Sequence, residues 1–147
     1  MMQFRLGAVA AVIVGGLWGA GASAQVVAPQ VIASGFRPGM CMDIREGGND
    51  AILWACHGQR NQQFSFLFGT SGQLQVMCRC LGAAGGEGTA LAATPCRSAP
   101  AQRWTLRSDG RLQNDQGFCA DVKANGGQGA QVIAWRCHNG ANQRWRW

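Results

Sequence analysis

The sequence repeats itself three times, and this repetition most constrains how the chain can fold. Three cysteines that are 40 and 41 residues apart mark the repeat: Cys56, Cys96 and Cys137. Eight residues after each cysteine, a Gln-x-aromatic triplet ends on an aromatic residue: Phe64, Trp104 and Trp145. One unit of about 40 residues cannot bury its own apolar face, so we expect three units to share one core. We expect the three aromatic residues to meet in that core.

A second set of cysteines lies upstream, each in an apolar stretch that resembles a strand: Cys41, Cys78 and Cys119. Gly-rich segments at 46–50, 84–88 and 125–129 separate the two cysteines of each repeat. Such segments suit hairpin turns that need a positive φ. Short strands broken this often by turns predict an all-β protein. Three units of this kind can close around a pseudo-threefold axis and leave no free sheet edge.

The first 24 residues have the order of a secretory signal. Arg5 precedes an apolar run that ends near Trp18, and small residues then lead to Ala24, where cleavage would release residues 25–147. A membrane anchor needs about 20 apolar residues, and this run is shorter and interrupted by glycines. We therefore expect export, with no stable membrane insertion after cleavage.

The exported part is basic, but its charge is dispersed. Removal of Arg5 with the signal lowers the net charge from +6 to +5, and the remaining cations are scattered along the chain. No basic tract could follow a phosphate backbone, which argues against nucleic acid as a partner. Seven cysteines in a small exported chain favour a disulfide framework over a metal site, with one cysteine left over.

The threefold Cys…Cys…Gln-x-Trp pattern resembles the ricin B-type lectin domain, also called carbohydrate-binding module family 13. The resemblance covers about residues 31–147 and implies a β-trefoil. Its three repeats would span about 31–68, 69–108 and 109–147. Phe64 departs from the pattern, because the family has tryptophan at this position.

The resemblance also implies one disulfide in each repeat. The implied pairs are Cys41 with Cys56, Cys78 with Cys96, and Cys119 with Cys137. The residues alone leave open a Cys80–Cys96 pair, since Cys78 and Cys80 would lie on the same side of a strand. If Cys80 is the unpaired cysteine, it could link two chains as a disulfide dimer.

One shallow sugar pocket per repeat is a further implication of the resemblance. An Asp two residues after the first cysteine accepts hydrogen bonds from vicinal hydroxyls. An aromatic residue two before the second cysteine packs against the sugar C–H groups, and the Asn directly before the Gln of the triplet fixes orientation. The first repeat carries Asp43, Trp54 and Asn61, and the third carries Asp121, Trp135 and Asn142.

The second repeat lacks all three residue types. By the same count it carries Cys80, Thr94 and Ala101, so we expect it to be structural. Four further residues are expected at the rim of the first and third pockets: His57, Gln62, His138 and Gln143. A glutamine also occurs at this place in the second repeat, which favours a role in bracing the backbone.

These observations predict a secreted carbohydrate-binding protein without catalysis, cofactor or metal. Galactose-type or xylose-type glycans are implied by the family alone. Two pockets on one rigid body suit multivalent glycans, because linked sites raise avidity by roughly 10²–10⁴. An enzyme would need a general acid and a general base at one site, whereas each pocket has one matching carboxylate. The alternative is a receptor- or partner-binding subunit of a secreted toxin or enzyme assembly.

Overall fold

A computed structural model describes residues 28–147, so the predicted signal peptide at 1–24 lies outside the described residues. Within this range the chain forms twelve short strands and four single-turn 3-10 helices. The strands are β1 (Ala33–Ser34), β2 (Met40–Ile44), β3 (Ala51–Ala55), β4 (Ser65–Phe68), β5 (Ser71–Val76), β6 (Arg79–Ala83), β7 (Leu91–Thr94), β8 (Arg103–Leu106), β9 (Leu112–Asn114), β10 (Phe118–Val122), β11 (Val132–Arg136) and β12 (Trp145–Arg146). The 3-10 helices are η1 (Arg60–Gln62), η2 (Pro100–Gln102), η3 (Lys123–Asn125) and η4 (Ala141–Gln143).

Six strands close a barrel: β1, β4, β5, β8, β9 and β12. Antiparallel ladders join β12 to β1, β4 to β5, β5 to β8 and β8 to β9. Two single contacts complete the ring. Gln30 bridges to Phe64 beside β4, and Trp145 N donates to Gly110 O at 2.8 Å, next to β9. Closure in this way removes the free sheet edges that invite aggregation.

Three hairpins pack around the pseudo-threefold axis: β2–β3, β6–β7 and β10–β11. Each hairpin donates a backbone hydrogen bond of 2.8 Å to another in a closed cycle: Leu53 N to Ala130 O, Ala134 N to Thr89 O, and Ala93 N to Asn49 O. The cycle passes once through every repeat. The prediction of a β-trefoil with pseudo-threefold symmetry is therefore confirmed.

The aromatic residues of the three triplets lie in one core. Phe64 and Trp104 are fully buried, and Trp145 is 2% exposed. Trp104 Nε1 donates to Leu81 O at 2.8 Å, and Trp145 Nε1 donates to Ala120 O at 3.0 Å. These bonds satisfy the indole N–H groups, which would be costly to bury unpaired. Phenylalanine has no N–H, so Phe64 fills the equivalent position in the first repeat by packing alone.

The disulfides correct one predicted pair. Cys41–Cys56 and Cys119–Cys137 form as expected, but in the second repeat Cys96 pairs with Cys80. The prediction of a Cys78–Cys96 bond is wrong, because Cys78 is not in a strand. Together with Met77, it forms the two-residue turn between β5 and β6, with φ values of 60° and 49°. Positive φ at both central residues is typical of the type I′ turns that close tight hairpins.

The strand register explains why Cys80 is the bonded cysteine. Cys80 lies opposite Thr94, just as Cys41 lies opposite Trp54 and Cys119 opposite Trp135. Cys80 is also fully buried, so the idea of a dimer linked through Cys80 is wrong. Among the described residues, the free and exposed cysteine is Cys78.

The corrected register also moves the carboxylate position of the second repeat. Two residues after Cys80 stands Gly82, which pairs with Ala92 as Asp43 pairs with Ile52 and Asp121 with Ile133. Gly82, and not Cys80, therefore replaces the aspartate there.

In residues 28–147 no helix has the length and apolar character to cross a membrane.

Candidate functional site

The structure brings together each predicted trio of site residues in its own cavity. The first-repeat cavity, about 260 Å³, is lined by Asp43, Trp54 and Asn61 together with His57. The third-repeat cavity, about 280 Å³, is lined by Asp121, Trp135, Asn142 and His138. Pockets for drug-sized ligands span about 300–1,000 Å³. Cavities of this smaller size suit a ligand smaller than a drug-sized molecule.

The carboxylate of Asp43 is the centre of the first site and is 3% exposed. Its Oδ1 accepts a hydrogen bond from Asn61 Nδ2 at 2.9 Å, and its Oδ2 accepts from Gln62 Nε2 at 2.8 Å. His57 Nε2 lies 3.1 Å from Oδ2 as a third partner. A carboxylate offers about four acceptor positions. One position on Oδ1 is therefore left for a ligand hydroxyl.

The backbone around His57 fixes the proton on its ring. Gln59 N donates to His57 Nδ1 at 3.0 Å. A backbone N–H can only donate, so Nδ1 is unprotonated and the neutral ring carries its hydrogen on Nε2. His57 therefore donates to Asp43 and holds the carboxylate from the rim of the cavity.

Asn61 uses its amide nitrogen within the protein. Nδ2 donates to Asp43 Oδ1 and, at 3.1 Å, to the backbone oxygen of Ile44. Both N–H hydrogens are thus occupied. Asn61 Oδ1 accepts no hydrogen bond from the described part of the chain, so it can accept one from a ligand hydroxyl.

The third repeat builds the same arrangement. Asp121 is 4% exposed and accepts from Asn142 Nδ2 at 2.9 Å and from Gln143 Nε2 at 2.8 Å. His138 Nε2 lies 3.2 Å from the same carboxylate, and Gly140 N donates to His138 Nδ1 at 2.8 Å. Nδ1 of the neutral His138 ring is therefore unprotonated as well, and Nε2 of His138 donates to Asp121.

The two glutamines predicted at the rim lie behind the cavities instead. Gln62 and Gln143 are fully buried and line neither cavity, so this part of the prediction is wrong. Gln62 Oε1 accepts from the backbone N–H groups of His57 and Gly58, and its Nε2 donates to Ala55 O and to Asp43. Every polar group of the side chain is satisfied inside the protein. The bracing interpretation is the one that fits.

Each tryptophan platform lies against a turn from another repeat. Trp54 is 39% exposed, and a Cβ placed on Gly129 would lie 3.9 Å from its ring. Trp135 is half-buried, and a Cβ on Gly88 would lie 3.5 Å from its ring. Gly88 also lines the third-repeat cavity, so part of that wall is built by the second repeat. In the first repeat the turn at Gly129 lies against Trp54 but does not line the cavity.

The residues that distinguish the two cavities were not predicted from the sequence. Both cavities are also lined by an isoleucine opposite the site aspartate, Ile52 in the first and Ile133 in the third. The cavities differ in Arg45 and Glu46 of the first, and in Gly88, Lys123, Ala124 and Asn125 of the third. One signal could have found two of them, because Arg45 and Lys123 each lie two residues after the site aspartate. The residues that differ between the two cavities give the two sites different polar surroundings.

A third cavity lies at the equivalent place in the second repeat. Its volume is about 450 Å³, and its lining includes Gly82, Thr94, Arg97 and Ala101. Among the described residues that line it, none has a carboxylate or an aromatic ring. Nor do residues 28–147 contain a cluster of three His, Cys, Asp or Glu side chains suited to a metal ion.

One ion pair lies beside the third site. Arg136 Nε donates to Glu87 Oε1 at 2.6 Å, and the hydrogen bonds from Arg136 lower the pKa of Glu87 from its ordinary value of 4.5. The two residues belong to different repeats and are 49 positions apart. The guanidinium carbon of Arg136 lies 5.7 Å from the centroid of the Trp135 ring, which is within the range of a cation–π contact.

Comparisons with known proteins agree with this architecture. The family model for the ricin-type β-trefoil lectin domain matches residues 30–146. The ribosome-inactivating protein PMRIPt of Polygonatum multiflorum is 39% identical over 84 residues, which are 52% of this chain and 14% of that protein. The chain thus spans a small part of that curated relative.

Solved structures resemble the whole trefoil. The agglutinin from Abrus precatorius has a TM-score of 0.72 and 24% identity, covering 84% of this chain and 49% of that one. The designed threefold-symmetric protein ThreeFoil has a TM-score of 0.68 and 20% identity, covering 81% and 95%. A non-toxic homologue of type II ribosome-inactivating proteins from Momordica charantia, solved with α-methyl-D-galactoside, has a TM-score of 0.67 and 23% identity, covering 80% and 46%. At these sequence identities the structural similarity shows a shared fold and nothing more.

Proposed function

The chain belongs to the ricin-type β-trefoil lectin family, and we propose that it binds carbohydrate at its first and third repeats without catalysing a reaction. One observation carries the proposal. In both repeats a nearly buried aspartate is held by an asparagine, a glutamine and a histidine at the wall of a small cavity that also contains a tryptophan. An aspartate needed only to cap a turn would not require the tryptophan beside it.

The free hydrogen-bonding positions match the hydroxyl pattern of a sugar. Asp43 keeps one acceptor position on Oδ1, and Asn61 keeps its Oδ1, so two acceptors lie on adjacent side chains. Vicinal hydroxyls of a pyranose can donate one hydrogen bond to each. Trp54 then offers its ring to the C–H groups of the sugar. Asp121, Asn142 and Trp135 repeat this role in the third repeat.

Galactose-type or xylose-type sugars are the proposed ligands. The proposal is supported by the family and by the Momordica charantia homologue, which was solved with α-methyl-D-galactoside. A single shallow site with a Kd near 1 mM contributes about −4 kcal/mol. Two such sites on one body favour branched or repetitive glycans, because linkage raises avidity by roughly 10²–10⁴.

Export is part of the proposal. The structure contains three intramolecular disulfides, and such bonds persist in oxidising compartments and are rare in the cytosol. The signal-like order of residues 1–24 is consistent with this location. We therefore propose a secreted lectin.

A glycan array tests the proposal. Residues 25–147 would be compared with an Asp43→Ala, Asp121→Ala double variant and with an Asp115→Ala control, whose exposed carboxylate pairs with Arg103 at 3.0 Å outside both cavities. We expect galactosyl or xylosyl binding that is lost in the double variant and kept in the control. Near-UV circular dichroism would verify folding.

Two results would contradict the proposal. Binding that persists in the folded double variant would show that glycans are held elsewhere. Absence of any glycan binding by the folded wild type would favour the alternative of a receptor- or partner-binding subunit in a secreted toxin or enzyme assembly.

A further inference from the structure

The second-repeat cavity, lined by Gly82, Thr94, Arg97 and Ala101 among others, is larger than either proposed sugar pocket. Its volume is about 450 Å³, against about 260 and 280 Å³ in the first and third repeats. It lies at the same place between a hairpin and the loop after the second cysteine. The loss of the sugar-binding residue types has therefore not closed this part of the fold.

The frame behind the cavity is intact. Gln102 Oε1 accepts from Arg97 N at 2.6 Å, as Gln62 accepts from His57 N. Gln102 Nε2 donates to Pro95 O and to Thr94 Oγ1, each at 2.9 Å. Thr94 Oγ1 therefore takes the position of the missing carboxylate oxygen as the acceptor for the glutamine. A hydroxyl that accepts in this way still has its own hydrogen to donate.

Among the described residues, the second-repeat cavity is lined by one cation and no carboxylate, whereas each of the other two cavities is lined by both a cation and at least one carboxylate. Gly82 replaces the aspartate, which removes a negative charge, and Arg97 replaces the histidine after the second cysteine, which adds a positive one. The Arg97 side chain is exposed and makes neither an ion pair nor a hydrogen bond with residues 28–147. Two hydrogen-bond donors, the guanidinium of Arg97 and the hydroxyl of Thr94, are thus left facing a cavity without a carboxylate.

We propose that the second-repeat cavity binds the oxyanion of an acidic sugar, either a carboxylate or a sulfate ester. This inference deepens the proposed function and rests on it, because the ligand is again a saccharide. The planar fork of a guanidinium binds such oxyanions through paired, charge-assisted hydrogen bonds. With no tryptophan in this cavity, recognition depends on charge and weakens as salt screens it.

Site-resolved NMR titration tests the inference. The ligands are methyl β-galactoside, the matching methyl galacturonoside, the matching 6-sulfate and sodium sulfate. We expect the acidic sugars to shift the Thr94 amide and the Arg97 Nε–H resonances, whereas the neutral galactoside shifts only the indole N–H signals of Trp54 and Trp135. A difference between the galacturonoside and the 6-sulfate identifies which oxyanion is preferred.

Matched variants separate local recognition from general attraction. Arg97→Gln and Arg146→Gln remove one positive charge each, and Arg146 is exposed on β12 and does not line the second-repeat cavity. We expect Arg97→Gln to raise the Kd for the acidic sugar at the second repeat at least about tenfold. Arg146→Gln is expected to leave that Kd within about twofold, because an exposed charge outside the cavity is screened by salt.

Three outcomes would overturn the inference: no shift at Thr94 and Arg97 with either acidic sugar, equal loss in both variants, or an equal response to sodium sulfate alone. Failure of the proposed function has a separate signature. In that case the indole signals of Trp54 and Trp135 do not respond to any galactoside, whatever happens at Arg97.

Discussion

The carboxylate of Glu87, in the turn of the second repeat, holds the guanidinium of Arg136 in the third repeat with Nε and Oε1 2.6 Å apart. Held there, the guanidinium carbon lies 5.7 Å from the centroid of the Trp135 ring. In the first repeat the residue after the tryptophan is Ala55, which has no charge, and Trp54 is 39% exposed. The two proposed platforms therefore differ, and the third is supported by a contact between repeats.

Removal of this support is expected to affect one site only. Glu87→Gln takes away the charge that holds Arg136, and cation–π contacts at exposed positions contribute about 0.5–1 kcal/mol. We expect the third-repeat Kd for a galactoside to rise about two- to fivefold, with the first-repeat Kd unchanged. Titration followed at the Trp54 and Trp135 indole signals measures both. An equal change at the two sites would contradict this role for Glu87.

The same pair predicts a pH dependence. Its hydrogen bonds with Arg136 lower the pKa of Glu87 below the ordinary value of 4.5. A carboxyl whose folded-state pKa is lowered stabilises the fold fully above its unfolded pKa and loses that contribution as the pH falls through the folded value. The ion pair is therefore intact above about pH 4.5 and breaks in stronger acid.

A pH series of the third-repeat Kd checks this expectation. The difference between wild type and Glu87→Gln should be constant from pH 7 to about 5 and should shrink below about pH 4.5, as Glu87 is protonated in the wild type. Convergence of the two proteins near neutral pH would show that another group controls the platform.

The corrected disulfide pairing can be measured directly. All seven cysteines lie within residues 28–147, and of these Cys78 alone is free. Thiol titration of the native protein should therefore give one thiol per chain, and Cys78→Ser should give none. A Cys80→Ser, Cys96→Ser double variant opens a loop with a sequence separation of 16, which costs about 3 kcal/mol in the chain-entropy model. Urea unfolding compares this loss with the near-zero effect expected for Cys78→Ser. A large loss in Cys78→Ser would instead indicate that Cys78 is bonded.

Substitution of the turn that contains Cys78 is expected to stabilise the protein. Met77 and Cys78 have φ values of 49° and 60°, a region that residues other than glycine, asparagine and aspartate seldom occupy. Asn-Gly is the preferred pair for a type I′ turn. Met77→Asn with Cys78→Gly should raise the free energy of unfolding by about 1 kcal/mol, measured by urea unfolding under conditions that keep the disulfides intact. A decrease in stability would mean that Met77 contributes more by packing than the strained turn costs.

The repeat pattern was sufficient to predict the architecture. Phe64, Trp104 and Trp145 are buried in one core because each occupies the same repeat position, and a residue type that recurs at one position of a closed barrel has one environment. Asp43, Trp54 and Asn61 meet in one cavity for the same reason. The repeat period was therefore sufficient to predict the fold and to group the candidate site residues.

The errors in the second repeat arose where the chain departs from its own period. Cys78 and Cys80 are separated by one residue, and the Met77-Cys78 turn lacks the Asn-Gly pair that would have marked it. Without that mark the sequence leaves the register of β6 ambiguous. The predicted disulfide of the second repeat was therefore wrong, and the position of the missing aspartate was assigned to Cys80 instead of Gly82. The Glu87–Arg136 pair joins residues 49 positions apart in the sequence, and no local sequence pattern predicts a contact between residues so far apart in the chain.

Site-resolved titration of single variants tests the central claim most directly. Methyl α-galactoside and xylobiose would be titrated into wild type, Asp43→Asn, Asp121→Asn and the double variant while the Trp54 and Trp135 indole signals are followed. With either or both sugars, both signals should shift in the wild type, only that of Trp135 in Asp43→Asn, only that of Trp54 in Asp121→Asn, and neither in the double variant. A folded wild type with no shift at either tryptophan, or shifts that persist in the double variant, would contradict carbohydrate binding at these two sites.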